Sequence, residues 1–234
     1  MKRFMPVVSF SVAVSLPILG LSQSFATGMV PETSVVMVNV EDGEGTIDVT
    51  NTDSQAALLY SSLENLPEDT ETLLIITPPV TRLEAGEKQQ VRFIVQSSQP
   101  ITTQRLKRVS FEGIPQKNLN AGATVGVTVR QNLPVIINPA RLAKNSEPWK
   151  LLKWHLNSDG LTVKNDSPYV IRLSQQVSLL PGDAVVSLPR TYILAGESLS
   201  IALPRSNQPV KSLRIYPASA YGFQVESYET PLAN

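Results

Sequence analysis

Between Gly122 and Pro139 the chain reads GATVGVTVRQNLPVIINP, and Val125, Val127, Val129, Leu133, Val135 and Ile137 all share one parity, broken only at Gln131. Alternate side chains of an extended strand project from the same face, so this spacing puts an apolar row on one side of a β-strand. Strands average about 5 to 6 residues, and this run covers roughly twice that length. A strand that outruns its sheet leaves an open apolar edge, which recruits another strand. A protein that keeps such an edge has the means to pair with a client.

The rest of the chain is β-rich as well. Runs such as TSVVMVNV, GTIDVTN, AALLYSSL and KQQVRFIVQ, then GLTVKND, YVIRLSQQVSLL, SLSIALP and VKSLRIYPASAYGFQV, recur between turn signals, among 18 prolines and without long helical periodicity. Regular strand-sized runs of this kind predict an all-β fold of immunoglobulin-like sandwiches. NPARLAKNSEPW, from Asn138 to Trp149, breaks the β pattern and marks a boundary. This predicts a first Ig-like domain over 27–140 and a second over 141–234, with no extended internal repeat relating them. Trp149 and Trp154 are expected in the second core.

The N-terminus indicates export. Lys2 and Arg3 precede an apolar run from Phe4 to Leu21, and Ser24-Phe25-Ala26 supplies small residues at a cleavage site, so 1–26 reads as a signal peptide. Ser9, Ser11, Ser15 and Pro17 make the run a poor permanent span, and no later run approaches the roughly 18 apolar residues a membrane helix needs. The mature chain is therefore expected to be soluble, without membrane insertion. Cysteine is absent, so its stability rests on packed cores rather than disulfides.

Net charge is zero but unevenly spread. Thr27–Thr81 holds ten acidic residues and no Lys or Arg, whereas Arg82–Trp154 holds twelve basic residues against four acidic. That asymmetry either steers a carboxylate-bearing partner or is ordinary surface charge. No dense basic run with interleaved aromatics points to nucleic acid.

Catalytic chemistry has little to stand on. There is one histidine, His155, in a strand-like run, and no G-x-S-x-G turn for a serine triad that would need it. A zinc site would want several His or Cys ligands. Gly43 and Gly45 in VEDGEGT lie among acidic residues and read as a hairpin turn, not a phosphate loop. No enzyme activity, cofactor or metal is expected, and binding is the favoured class.

Four stretches stand out: ITPPVTRLEAGEKQQVRF (76–93), RVSFEGIPQ (108–116), GVTVRQNLPVIINP (126–139), and GLTVKNDSPYVIRL with YPASAYGF (160–173 and 216–223). Together they resemble one family, the periplasmic pilus (fimbrial) chaperones of the chaperone-usher pathway, the PapD-like family. The resemblance implies two Ig-like domains set at an angle with a cleft between them. It also implies a periplasmic protein that lends its G strand to an incomplete pilus subunit and delivers the subunit to an outer-membrane usher. Val125, Val127, Val129, Gln131 and Leu133 fall on that donor strand. The free protein would be either a monomer or a self-capped dimer, and a structural Ig-like component of a surface fibre is the alternative reading.

The departures are specific. The family's two cleft cations, which hold the subunit's C-terminal carboxylate, fall here on Ser34 and Pro134, and three charged interdomain positions fall on Gln104, Asn138 and Ala220. A buried carboxylate still needs a partner, and arginine can bind it through two hydrogen bonds. Arg108 and Arg92, inside strand patterns, and Arg130, on the donor strand, are the candidate replacements, ahead of Arg82 beside a turn.

Overall fold

The computed structural model describes residues 28–116, 128–157, 160–203 and 209–233. The first domain contains β1 (Met29–Pro31), β2 (Val36–Asn39), β3 (Glu44–Asn51), β4 (Ala57–Glu64), β5 (Leu74–Thr77), β6 (Val80–Leu83), β7 (Lys88–Val95), β8 (Arg105–Pro115) and β9 (Arg130–Asn138). Hydrogen bonds link them in the order β5-β7-β3-β2-β9-β8-β4-β6, with β1 added to β3. Alternation explains how this path folds into two layers. Ile47 and Val49 of β3 and Val91 and Phe93 of β7 face Leu59 of β4 and Val109 and Phe111 of β8 across one core, while Thr46, Asp48 and Arg92 point outward.

A single-turn 3₁₀ helix, Pro148–Leu151, opens the second domain. Its strands are β10 (Lys153–Asn157), β11 (Gly160–Lys164), β12 (Ile171–Arg172), β13 (Gln176–Leu180), β14 (Ala184–Ser187), β15 (Tyr192–Ile193), β16 (Ser198–Ile201), β17 (Ser212–Ile215) and β18 (Tyr228–Pro231). They pair as β10-β11-β16, β12-β15 and β14-β13-β17-β18 around a core that contains Trp149 and Trp154, as the sequence suggests. His155 sits on β10 opposite Thr162, and no cluster of metal-ligating side chains occurs among the described residues.

Both domains repeat one corner that is too short to register as a sequence repeat. Asn51, ending β3, is fully buried; its amide donates to the carbonyls of Gln55 (2.9 Å) and Leu83 (3.1 Å), and its own carbonyl accepts from Gly86 N–H (2.8 Å). Asn165 does the same just after β11, donating to the carbonyls of Tyr169 (2.8 Å) and Leu194 (2.9 Å) while its carbonyl accepts from Gly196 N–H (2.8 Å). Each partner turn reads Ala-Gly-Glu. Gly86 and Gly196 take the left-handed conformation (φ +77° and +74°), and Glu87 and Glu197 each accept a hydrogen bond at 2.8 Å from the backbone three residues earlier. A buried amide satisfied on every side fixes the loop that crosses it.

The two domains meet through a small core of their own, made by Val35, Leu66, Leu106 and Ile136 from the first and Val170 from the second. Gln104 stitches its edge. Its amide nitrogen donates to Asn138 Oδ1 (2.7 Å), its side-chain oxygen accepts from Val170 N–H (2.8 Å), and its backbone N–H reaches the Pro168 carbonyl (2.8 Å). Two of the three positions expected to carry interdomain charge therefore still meet, as neutral amides. Ala220 lies exposed in a turn. Charge crosses the interface elsewhere, where Glu68 accepts from Arg190 and from the Tyr192 hydroxyl (3.0 Å).

Candidate functional site

β9 has different surroundings along its length. On one side it pairs with β8 from Arg130 to Ile137, but parallel pairing with β2 begins only at Val135. Among the described residues, Arg130–Pro134 therefore has no ladder partner on that side, and the backbone groups that face it are available to another strand. The apolar row runs across the same change. Ile137 and Val135 are sealed in the first core, Leu133 is 7% exposed at its rim, Gln131 is half-buried, and Val129 is 42% exposed. Val125 and Val127 lie outside the described residues. The opposite face is also occupied: Pro134 is buried and Ile136 packs into the interdomain core, which explains the unbroken apolar string LPVII.

The uneven charge along the sequence largely cancels within the first domain. Arg92 pairs with Glu44 across β7 and β3, Lys88 with Asp48 (3.4 Å), Arg130 with Glu64, and Arg105 and Lys107 with Asp69, the last at 2.9 Å. Of the three arginines considered as carboxylate anchors, Arg92 lies three strands from β9 and already has a carboxylate partner. Arg130 is on β9 but is paired. Arg108 differs: it donates to Asn132 Oδ1 and to the Asn132 carbonyl (2.9 Å), and no carboxylate pairs with it among the described residues. In the β8–β9 register Arg108 stands directly opposite Pro134.

A further cation comes from the second domain. Arg172, on β12, is mostly enclosed, and its Nη1 is buried with no hydrogen-bond partner among the described residues. Its pKa is lowered, first by burial and then by the positive charge of Arg108 nearby. A Cβ built on Gly222 would lie 3.6 Å from Arg172 Nη1 and 2.9 Å from Ser34 Oγ, so Ser34 and Arg172 border the same spot. Each position where the resemblance expects a missing cation thus has an arginine beside it: Pro134 has Arg108, and Ser34 has Arg172. The only sequence sign of Arg172 was a single arginine inside the apolar string YVIRL.

A cleft of about 620 Å³ opens next to these groups, lined by Val30, Ser34, Gln131 and Leu133 of the first domain and Tyr221 and Phe223 of the second. An open strand side, an apolar row and two close, unneutralised arginines suit an extended peptide with a terminal carboxylate, not a reaction.

The family model for the N-terminal domain of PapD, a pili and flagellar-assembly chaperone, matches residues 28–143, and that for the C-terminal domain of the pili assembly chaperone PapD matches 147–229. The chain belongs to the PapD family of pilus-assembly chaperones. This family consists of chaperones, not enzymes. Relatives of this PapD-family chain include the fimbrial chaperone YhcA of Escherichia coli K12, 43% identical over 210 residues that cover 89% of this chain and 92% of YhcA. Among solved structures, a complex of the Salmonella enterica SafA pilin with the SafB chaperone matches with a TM-score of 0.72 at 17% identity, over 89% of this chain and 98% of the matched one. The E. coli chaperone DraB matches with a TM-score of 0.70 at 20% identity, over 88% and 98%. These two likenesses establish the two-domain Ig-like fold.

Proposed function

We propose that this PapD-family protein works in the periplasm, holding a pilus subunit by lending it β9 and delivering it to an outer-membrane usher. The observation that carries the reading is the open side of β9 over Arg130–Pro134, continuous with the exposed Val129. A subunit strand adding there would gain ladder hydrogen bonds, and Val129, with Val127 and Val125 before it, would fill the groove left by a missing strand. Each buried valine contributes on the order of 1.5–3 kcal/mol before association costs. Arg172 and Arg108 supply the carboxylate anchor in place of cations at Ser34 and Pro134. Delivery needs a second surface, and the outer face of β4, β6 and β8 offers exposed Leu58, Tyr60, Val80 and Ile114, paired as Leu58 with Ile114 and Tyr60 with Val80.

The test is co-purification of a tagged chaperone with its subunit from periplasm. Val129→Asp, at an exposed position, is expected to leave the protein folded and reduce subunit recovery at least about tenfold, because a carboxylate would enter an apolar groove. Undiminished recovery with this variant and with Val127→Asp contradicts the donor strand. Ordered self-assembly of the purified protein without a subunit favours a fibre component instead.

A further inference from the structure

The second domain presents its two most exposed large apolar side chains on one loop: Tyr221 is 65% and Phe223 70% exposed. Water-facing aromatics normally need no explanation when scattered, but these stand side by side on the wall of the cleft that β9 borders. The loop holding them is braced. Ser219 N–H donates to the Phe223 carbonyl (2.8 Å), Gly222 N–H to the Ser219 carbonyl (2.9 Å), and Phe223 N–H to Ser219 Oγ (3.1 Å). Across the domain boundary, Ser34 Oγ donates to the Tyr221 carbonyl at 2.9 Å. Gly222 between them has φ +85°, and a Cβ there would meet Ser34 Oγ at 2.9 Å and Val35 Cγ2 at 3.0 Å. Glycine lets the loop lie this close to the first domain, and the residues on either side of it in the chain are the exposed Tyr221 and Phe223.

The same glycine fixes the distance to the charge. Arg172 Nη1 lies 3.6 Å from its hypothetical Cβ, so the aromatic pair flanks the buried arginine within the reach of one or two peptide residues. Glu32, the acidic residue on this wall, is already engaged, accepting the Asp48 N–H at 3.1 Å. Positive charge beside the cleft, at Arg172 behind Gly222, and aromatic surface on its wall suit the end of a chain: a free carboxylate preceded by apolar or aromatic side chains.

We propose that Tyr221 and Phe223 form the second domain's share of the client site, an aromatic rim that selects subunits by the side chains in the last few residues before their C-terminal carboxylate. The inference rests on Arg172 and Arg108 holding that carboxylate, and adds to it a recognition surface on the second domain. Through this rim both domains contact one client segment, so clients with the same groove but polar ends are held less firmly.

The test uses the full mature chain and fluorescein-labelled nine-residue peptides of alternating Ser and Val, with either Phe or Ser among the last three residues, each as free carboxylate and as amide. By fluorescence anisotropy the wild type should bind the Phe peptide at least about tenfold more tightly than the Ser peptide. Tyr221→Ser/Phe223→Ser, which should unfold at the wild-type temperature because both side chains are exposed, should lose that preference while still favouring carboxylate over amide. Persistence of the Phe preference in the double variant overturns the rim. So does unchanged peptide binding accompanied by conversion of a dimer to a monomer, which would give the aromatics to a second copy. Equal binding of free and amidated peptides by the wild type overturns the carboxylate site beneath it.

Discussion

Lys107 and Asp69 show how single charges are handled in this molecule. Lys107 is 2% exposed, ion-paired with Asp69 at 2.9 Å and hydrogen-bonded to the Asp69 carbonyl at 2.7 Å, while Arg105 reaches the same carboxylate. Burial pulls the Lys107 ammonium below its ordinary pKa although Asp69 opposes it. Burial also pushes Asp69 upward, but hydrogen bonds from Arg105 and Lys107 outweigh it and leave the carboxyl below its usual range. A carboxyl with a depressed folded pKa contributes stability that is present above its unfolded pKa, about 4, and is lost as pH falls through the folded value. Asp69→Ala, which leaves the buried Lys107 without its counter-charge, is expected to cost on the order of 3–5 kcal/mol in urea unfolding at pH 7 and to flatten the acid limb of the stability curve. The sequence displayed these charges but not their partners. Arg92, Arg108 and Arg130 look alike as strand arginines, and only the register separates the paired two from Arg108. Arg172 escaped notice because its neighbour in space, Arg108, is 64 residues away in the chain.

At the scale of elements, β9 carries two roles along one row of side chains. Its later part is core: Leu133→Ala is expected to cost about 2–5 kcal/mol, as large-to-small changes in packed interiors do. Its earlier part is surface, and Val129→Asp should change stability by no more than about 0.5 kcal/mol. Thermal unfolding of the two variants side by side measures where the change of role falls. The alternation was legible from Val129 to Ile137 because period two is a local signal. The second buried face, Pro134 and Ile136, was not, because Ile136 is covered by residues distant in the chain, Val35, Leu66 and Leu106 of its own domain and Val170 of the other. The shared Asn and Ala-Gly-Glu corner was missed for a different reason: its parts are separated by about thirty residues and each is only a few letters long.

For the whole molecule, the all-β class and the two sandwiches were readable from strand runs and turns, and the family from the resemblance of four stretches, whereas the way the domains are joined was not. The expected charges at Gln104 and Asn138 are replaced by neutral amides, and the ionic link has moved to Glu68, Arg190 and Tyr192. Burial raises the Glu68 carboxyl, but hydrogen bonds from its own backbone, Tyr192 and Arg190 outweigh that and lower it overall. This link is therefore lost as pH falls through a value below the ordinary carboxylate range. Glu68→Ala should leave each core folded yet loosen the joint, read as tryptic cleavage at Arg141 and Lys144 that is several-fold faster than in the wild type at neutral pH. Because Arg172 and Arg108 come from different domains, such loosening should also weaken retention of the subunit.

The role proposed for β9 is to complete the sheet of a client that lacks a strand. Hydrogen–deuterium exchange of the amides from Val129 to Leu133, in the free protein and in the complex co-purified with its subunit, measures this directly. Strong protection of the open-side amides in this segment is expected on subunit binding, with little change at Val135–Ile137, which are already laddered on both sides. Exchange at Val129–Leu133 that is equally fast in the free and bound protein would contradict it.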